Sequence, residues 1–135
     1  MSLVRTEITL KNASDVIDCK RGNIKESEIR QMTLDVTVDT GAWTLVINEE
    51  FREKLGLEVT GIDDGTLADG TKIEYDMAGP VEILWKNRRA LCDALVLPDA
   101  NEVLLGAIPL EIMDLTINPR RELVGAHGDK IMHRL

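Results

Sequence analysis

Apolar and polar residues alternate in three segments of the chain, residues 4–10, 32–38 and 81–85. In the second segment Met32, Leu34, Val36 and Val38 share one parity, and polar residues occupy the other. A period of two residues is typical of strands with one buried face. We therefore predict a strand from each segment. A charged turn at residues 86–89 then predicts that residues 90–97 form the return strand.

Further strands are predicted from local signals. The segment from Leu67 to Thr71 contains Asp69-Gly70 between apolar flanks, a strong signal for a β-hairpin. Residues 103–105 are wholly apolar and too few for a helix, so they predict a buried strand that ends at Gly106. Residues 115–117 are predicted as the last strand of the fold, with residues 130–132 as an edge or interface strand.

Helices are predicted to be few. Asn48 caps a two-turn helix that ends at Gly56, and a single short helix is expected to begin at Pro109. Breaks are expected at residues 12–15, 63–65 and 79–80, and residues 18–28 are predicted to form a surface excursion. The pattern predicts an all-β fold, a closed barrel with one or two short helices, in a single domain over residues 1–135.

Composition narrows the possible partners. A net charge of −8 and a pI near 4.7 argue against binding to nucleic acid or to an anionic membrane surface. The chain has no apolar run long enough to span a membrane and no signal-peptide pattern, so we expect a cytoplasmic protein. Cys19 and Cys92 are isolated and are expected to be reduced. His127 and His133 are expected to be ordinary surface residues. No metal site or cofactor is predicted.

The strand of residues 32–38 ends in Asp39-Thr40-Gly41. All three are turn residues, so a plain turn is one interpretation. The other is catalytic, because hydrolysis of a peptide bond without a metal needs one carboxylate to activate water and another to protonate the carbonyl. Two carboxyls about 3 Å apart cannot both ionise and share one proton. The chain carries a single Asp-Thr-Gly, so the second carboxylate would have to come from another copy.

The combined motifs resemble the retroviral-type aspartic proteases (retropepsins), and their small prokaryotic relatives most closely. The resemblance rests on Val38-Asp39-Thr40-Gly41-Ala42, the Ala-Asp-Gly hairpin, and Leu104-Leu105-Gly106 before a short helix. Order and spacing match over about residues 34–119. It implies an acid-protease barrel, an aspartic endopeptidase activity and a homodimer with Asp39 and its symmetry mate at the two-fold axis.

The resemblance also implies roles for individual residues. Thr40 would hydrogen-bond across to the partner's loop, and Gly41 would donate its N–H to a carboxylate. Residues 67–77 would form a flap over an extended peptide or protein substrate. Its tip would supply flexibility and backbone donors. The candidate substrate-binding residues are Ala42, Leu67, Ala68, Asp69, Gly70, Ile73 and Val103.

Two positions depart from the retroviral pattern. In the retroviral members an acid shortly after the triplet pairs with an arginine that follows the glycine of the later strand. Trp43 and Ala107 occupy these two positions here, which predicts an apolar contact in place of an ion pair. The tail after Pro119 also continues further than the pattern requires. A noncatalytic dimeric module that grips peptides in the same groove is the alternative function.

Overall fold

The structure, a computed structural model, describes residues 3–135. Strands predominate in this range, and the helices are short. The elements in chain order are β1 Val4–Asn12, α1 Ala13–Lys20, a 3₁₀-helix Glu26–Glu28, β2 Gln31–Val38, β3 Leu45–Ile47, α2 Glu49–Leu55, β4 Glu58–Thr66, β5 Lys72–Trp85, β6 Arg88–Val96, β7 Leu104–Leu105, α3 Ala107–Ile112, β8 Leu115–Ile117 and β9 Leu123–Gly125.

Seven strands form one sheet in the order β1-β2-β7-β3-β6-β5-β4, and β1 also pairs with β5. The pairings therefore run from β1 through β2, β7, β3, β6 and β5 back to β1 and close a circuit. β4 pairs with β5 outside this circuit and forms a hairpin arm with it. β8 and β9 form a separate two-stranded sheet.

The short strand β7 lies between two strands that are consecutive in the sequence. It is parallel to β2, with Val38 opposite Leu105, and antiparallel to β3, with Val46 opposite Leu104. The loop that joins β2 to β3, residues 39–44, therefore passes over the end of β7. This topology places Gly106, the residue after β7, against the loop that begins with Asp39.

The core inside the circuit is aliphatic, as the low aromatic content of 3% requires. Burial follows the predicted parity in β1 and β2, where Ile8, Leu10 and Val36 are almost wholly inaccessible, except that Thr37 on the other face of β2 is also buried. The side chains that are buried most completely come from most parts of the chain: Ile8, Leu10, Val36, Leu45, Ile47, Leu55, Leu57, Val81, Ile83, Val96, Leu105 and Met113. One contiguous core cluster includes all of them.

Several local predictions are confirmed. The Asn48 side chain accepts a hydrogen bond of 2.9 Å from Phe51 N–H, and Gly56 closes α2 in the left-handed region at φ 63°. The hairpin of β4 and β5 turns at residues 67–71, and the strands predicted at residues 81–85 and 90–97 lie in β5 and β6.

The helix predictions are partly wrong. Three α-helices and one 3₁₀-helix occur in the described range instead of one or two helices. The missed helix α1 is only eight residues long, and the Asn12 side chain caps it by accepting a 3.1 Å hydrogen bond from Asp15 N–H. Helix α3 begins at Ala107, so Pro109 is its third residue and not its first.

Some predicted breaks are also wrong. Gly79-Pro80 does not end a strand, because β5 continues through it with a bulge between Ala78 and Val81 in its pairing with β6. Residues 63–65 lie in β4 rather than in a turn, paired with β5. Residues 115–117 are not the last strand, since β9 follows and pairs with them, and residues 130–132 do not form a strand.

The C-terminal tail folds back on its own protomer through the buried Asp114. The carboxylate of Asp114 lies 3.0 Å from His127 Nδ1 and accepts a 3.1 Å hydrogen bond from Met132 N–H. His133 Nε2 lies 2.8 Å from Ile112 O, and both histidines are exposed, as predicted. Within the described range, no helix is both long and apolar enough to cross a membrane.

Candidate active site

Asp39 stands at the end of β2 and is half-buried. Its backbone N–H donates to Leu105 O at 3.0 Å, which continues the pairing of β2 with β7. Its carboxylate Oδ1 accepts a 2.8 Å hydrogen bond from Gly41 N–H. A Cβ at Gly41 would lie only 3.1 Å from the same oxygen, so a larger residue would crowd the carboxylate. The same bond is also characteristic of a turn that begins at an aspartate, so the geometry fits both the catalytic and the plain-turn interpretation.

Residues 106–108 hold the loop of Asp39 in place. Ala107 N–H donates to Ala42 O at 2.8 Å, and Ile108 N–H donates to Trp43 O at 2.8 Å. A Cβ at Gly106 would lie 2.5 Å from Ala42 O and nearer still to another backbone oxygen of the loop, so only glycine fits without a shift. Backbone hydrogen bonds therefore join residues 42 and 43 to residues 107 and 108, and the apolar contact predicted between Trp43 and Ala107 stays a prediction.

A cavity of about 490 Å³ lies over the carboxylate of Asp39, between the loop, the hairpin and β6. Asp39 is the only acidic residue of its lining within the described range. The other lining residues are mainly apolar and come from four parts of the fold: Gly41, Ala42, Trp43, Val46, Gly65, Thr66, Leu67, Ala68, Ile73, Tyr75, Leu95, Leu97 and Leu104.

The structure brings four of the predicted substrate-binding residues together around this cavity, namely Ala42, Leu67, Ala68 and Ile73. Val103 is a correction, because it is buried in the main core and its neighbour Leu104 faces the cavity. A strand of two residues gives no alternation from which its inward face can be read. Asp69 and Gly70 are exposed at the tip of the hairpin and do not line the cavity.

The tip of the hairpin is ordered by its own hydrogen bonds. Leu67 N–H donates to Thr71 O at 2.8 Å, and Thr71 N–H donates to Asp69 Oδ1 at 2.8 Å. Hydrogen bonds from Thr71 lower the pKa of the Asp69 carboxyl, and the bond from the Thr71 side chain has a larger effect than the bond from its backbone. The apolar tip residues Leu67 and Ala68 are therefore held toward the cavity on a defined turn.

Tyr75 is a site residue that the sequence prediction missed. Its ring lies on Gly65 of the neighbouring strand, where an added Cβ would meet the ring carbon Cε1 at 2.7 Å. Both residues line the cavity over Asp39. The signal was present in the sequence, because Tyr75 has the same strand parity as Ile73, a candidate substrate-binding residue that lines the same cavity.

A second cavity, of about 320 Å³, lies on another side of Asp39. Asp39 and Leu104 line both cavities, whereas the exposed Thr40 lines only this one. A hydrogen-bonded network borders it, in which Arg5 Nη1 donates to Thr37 Oγ1 at 3.0 Å and Thr37 Oγ1 donates to Glu102 Oε2 at 2.8 Å. The remaining lining residues are Leu3, Val4, Val38, Ile117 and Arg121.

The cysteines are free thiols and are both partly buried. Burial, the largest cause, raises the pKa of Cys92 to about 11, so its thiol is protonated at neutral pH and is a poor nucleophile. Cys92 lines a third groove with the half-exposed Trp43 and with Ile108. Among residues 3–135, no group of three or more His, Cys, Asp or Glu side chains is arranged to hold a metal ion.

No protein-family model matches the chain, and no curated protein is significantly similar to it. The interpretation of the site therefore depends on the geometry of Asp39 and on the motifs around it.

Proposed function

We propose that the protein is an aspartic endopeptidase of the retropepsin-like type, with an acid-protease barrel and a catalytic dyad formed by Asp39 from each of two copies. One observation carries the proposal: a half-buried carboxylate at a strand end, held by Gly41 N–H, is the single acid among residues 3–135 that lines an apolar cavity beneath a hairpin. The closed circuit of strand pairings is consistent with such a barrel.

In the proposed mechanism, one Asp39 carboxylate removes a proton from a water molecule that attacks the scissile carbonyl carbon. The other, protonated carboxyl donates its proton to the carbonyl oxygen, which gives a neutral tetrahedral intermediate. The Gly41 N–H stabilises the ionised carboxylate with a charge-assisted hydrogen bond. Collapse of the intermediate breaks the C–N bond as the carboxyl that took the proton from water gives it to the leaving nitrogen. The other carboxylate takes the proton of a hydroxyl of the intermediate, which yields the carboxylic acid product and restores the singly protonated dyad.

The substrate in this proposal is an extended segment of a peptide or protein, placed between the hairpin and the floor of the cavity. The lining favours aliphatic side chains near the scissile bond, because Val46, Ile73, Leu95 and Leu104 surround the space over Asp39. Closure of the hairpin over the substrate would exclude bulk water from the dyad.

The test is a fluorogenic peptide-library assay between about pH 4 and pH 7. Asp39→Asn should lower kcat/KM by about 1000-fold or more, because the amide can neither activate water nor share the dyad proton. Asp35→Asn is the matched control, since Asp35 is an exposed aspartate on the same strand. It should retain kcat/KM within about twofold.

Mixing the native protein with Asp39→Asn tests the shared dyad. After subunit exchange in an equal mixture, about one quarter of the dimers carry two native Asp39 residues, so activity should fall to about one quarter. A value near one half would mean that each copy acts alone. Cleavage that survives Asp39→Asn would overturn the mechanism, and equal peptide binding by both forms without turnover would favour the noncatalytic peptide-binding module.

A further inference from the structure

We infer that the second copy docks beside Asp39 at the cavity that Thr40 lines, on a surface that we call the dimer face and define by Leu3, Thr40, Glu102, Leu104 and Ile117. The inference rests on the proposed function and deepens it by naming the surface through which each copy completes the other's site. It also states that the C-terminal tail is not the element that joins the two copies.

The position of the dimer face follows from the symmetry of a shared dyad. Two carboxyls that share a proton lie about 3 Å apart, so a two-fold axis must pass next to Asp39 and the partner must occupy space beside it. Asp39 borders two cavities, and the one beneath Leu67 and Ala68 is the place for a peptide. The second cavity, of about 320 Å³, which Thr40 lines, remains for the partner.

The chemistry of the dimer face suits an interface of a surface with itself. Leu3 is 63% exposed at the edge of a cavity whose walls include Val4, Val38 and Ile117, so a large apolar side chain stands in water beside an apolar recess. A two-fold axis places the dimer face of one copy against the dimer face of the other. Docking of the second copy therefore removes Leu3 of both copies from water.

Charges on and beside the dimer face are of both signs, as self-association requires. Arg5 and Glu102 lie 3.5 Å apart with side chains that are 49% and 46% exposed, and Arg121 lines the same cavity. A surface of one sign would repel its copy across the axis, whereas a mixed surface presents cations toward carboxylates. The chain as a whole carries a net charge of −8, so this local balance matters for the approach of two copies.

The C-terminal tail is already engaged within its own protomer. Asp114 accepts a hydrogen bond from Met132 N–H at 3.1 Å, and Arg88 Nη2 donates to Gly128 O. His133 is placed 2.8 Å from Ile112 O. Residues 126–135 line neither of the two cavities that border Asp39. A tail held in this way would have to break these contacts before it could pair with a partner.

The test compares arginine substitutions at exposed apolar residues in the full-length protein. Leu3→Arg puts a charge on the dimer face. Met132→Arg is the matched control, because it puts a charge on the C-terminal tail at a residue that is 63% exposed, as Leu3 is. Leu91→Arg, at 54% exposure on β6, is a second control away from both surfaces. Analytical ultracentrifugation gives the dimer dissociation constant of each variant, and cleavage is measured as a function of protein concentration.

We expect Leu3→Arg to raise the dissociation constant by about 30-fold or more, because a charge is placed in a desolvated contact. Activity per dimer should recover at high concentration. Met132→Arg and Leu91→Arg should change the constant by less than about threefold. If Met132→Arg weakens the dimer and Leu3→Arg does not, or if neither weakens it, the second copy does not dock on the dimer face. The proposed function would still stand in both cases. A native protein that is monomeric at all concentrations and inactive overturns both.

Discussion

Replacing Gly106 with alanine tests the packing that holds the loop of Asp39. Gly106 has φ −96°, which alanine adopts without strain, so the cost of the substitution is steric. An alanine Cβ would lie 2.5 Å from Ala42 O and 2.8 Å from Thr44 N. These atoms belong to the backbone of the loop, so no side-chain rotation can relieve the overlap and the loop itself must move.

The magnitude follows from the contacts that are lost. Overpacking in a tight interior costs about 2 kcal/mol. Moving the loop also breaks the hydrogen bonds that Ala107 and Ile108 donate to it, each with a net contribution of about 1 kcal/mol. Lower entropy of the unfolded chain offsets about 0.5 kcal/mol of this. We expect Gly106→Ala to lower the free energy of unfolding by about 3.5 kcal/mol, which leaves a typical domain of this size folded.

Urea unfolding followed by circular dichroism measures this loss. Gly61→Ala is the matched control, because a Cβ at Gly61 meets nothing within 4 Å, and we expect a change below about 0.5 kcal/mol. A loss below about 1 kcal/mol for Gly106→Ala, or equal losses for the two variants, would refute the tight contact. In the folded fraction, displacement of Asp39 should also lower the proposed peptidase activity.

Three further predictions concern the support of the fold. Asn12→Ala should lower the free energy of unfolding by about 2 to 3 kcal/mol, because Asn12 caps α1 and donates to Leu55 O at 2.9 Å in the interior; urea unfolding measures it. The second prediction concerns Asp15. The side-chain hydrogen bond from Arg30 is the largest cause that lowers the pKa of the Asp15 carboxyl, so in acid the folded state binds fewer protons than the unfolded state does. The free energy that this ion pair contributes to folding is fully present above the unfolded pKa of Asp15, about 4, and is lost as pH falls through its lower pKa in the folded state. In that pH window the urea midpoint of the native protein should rise with pH, and Asp15→Asn should make this rise smaller. Iodoacetamide at about pH 8 should alkylate Cys92 about 100-fold more slowly than a free cysteine, because burial raises its pKa to about 11, and peptide mass spectrometry follows the reaction.

Each of these has an outcome that contradicts it. Asn101 is an exposed asparagine, and an Asn101→Ala variant that is as unstable as Asn12→Ala would show that the loss is not specific to the buried cap. An unchanged acid slope in Asp15→Asn would mean that its ion pair with Arg30 does not survive in solution. Alkylation of Cys92 at the rate of a free cysteine would show that the thiol is not buried as described.

The amino-acid sequence determined the features of this fold that depend on neighbouring residues. Alternation fixed the buried faces of β1 and β2, and the caps at Asn48 and Gly56 marked both ends of α2. Asp69-Gly70 located the turn of the hairpin, and the strand before Asp39 located the candidate site. These signals are local in physical origin, since parity, capping and turn conformation act over a few residues.

Only the tertiary structure decided the features that depend on distant partners. β5 continues through Gly79-Pro80 because strands on both sides pair with it. β7 has only two residues, so the sequence has no alternation there that predicts which side chain faces the cavity. The insertion of β7 between β2 and β3 decides that Leu104, and not Val103, lines it. The same insertion brings Gly106 onto the loop of Asp39, a contact made by residues far apart in sequence that no local pattern encodes.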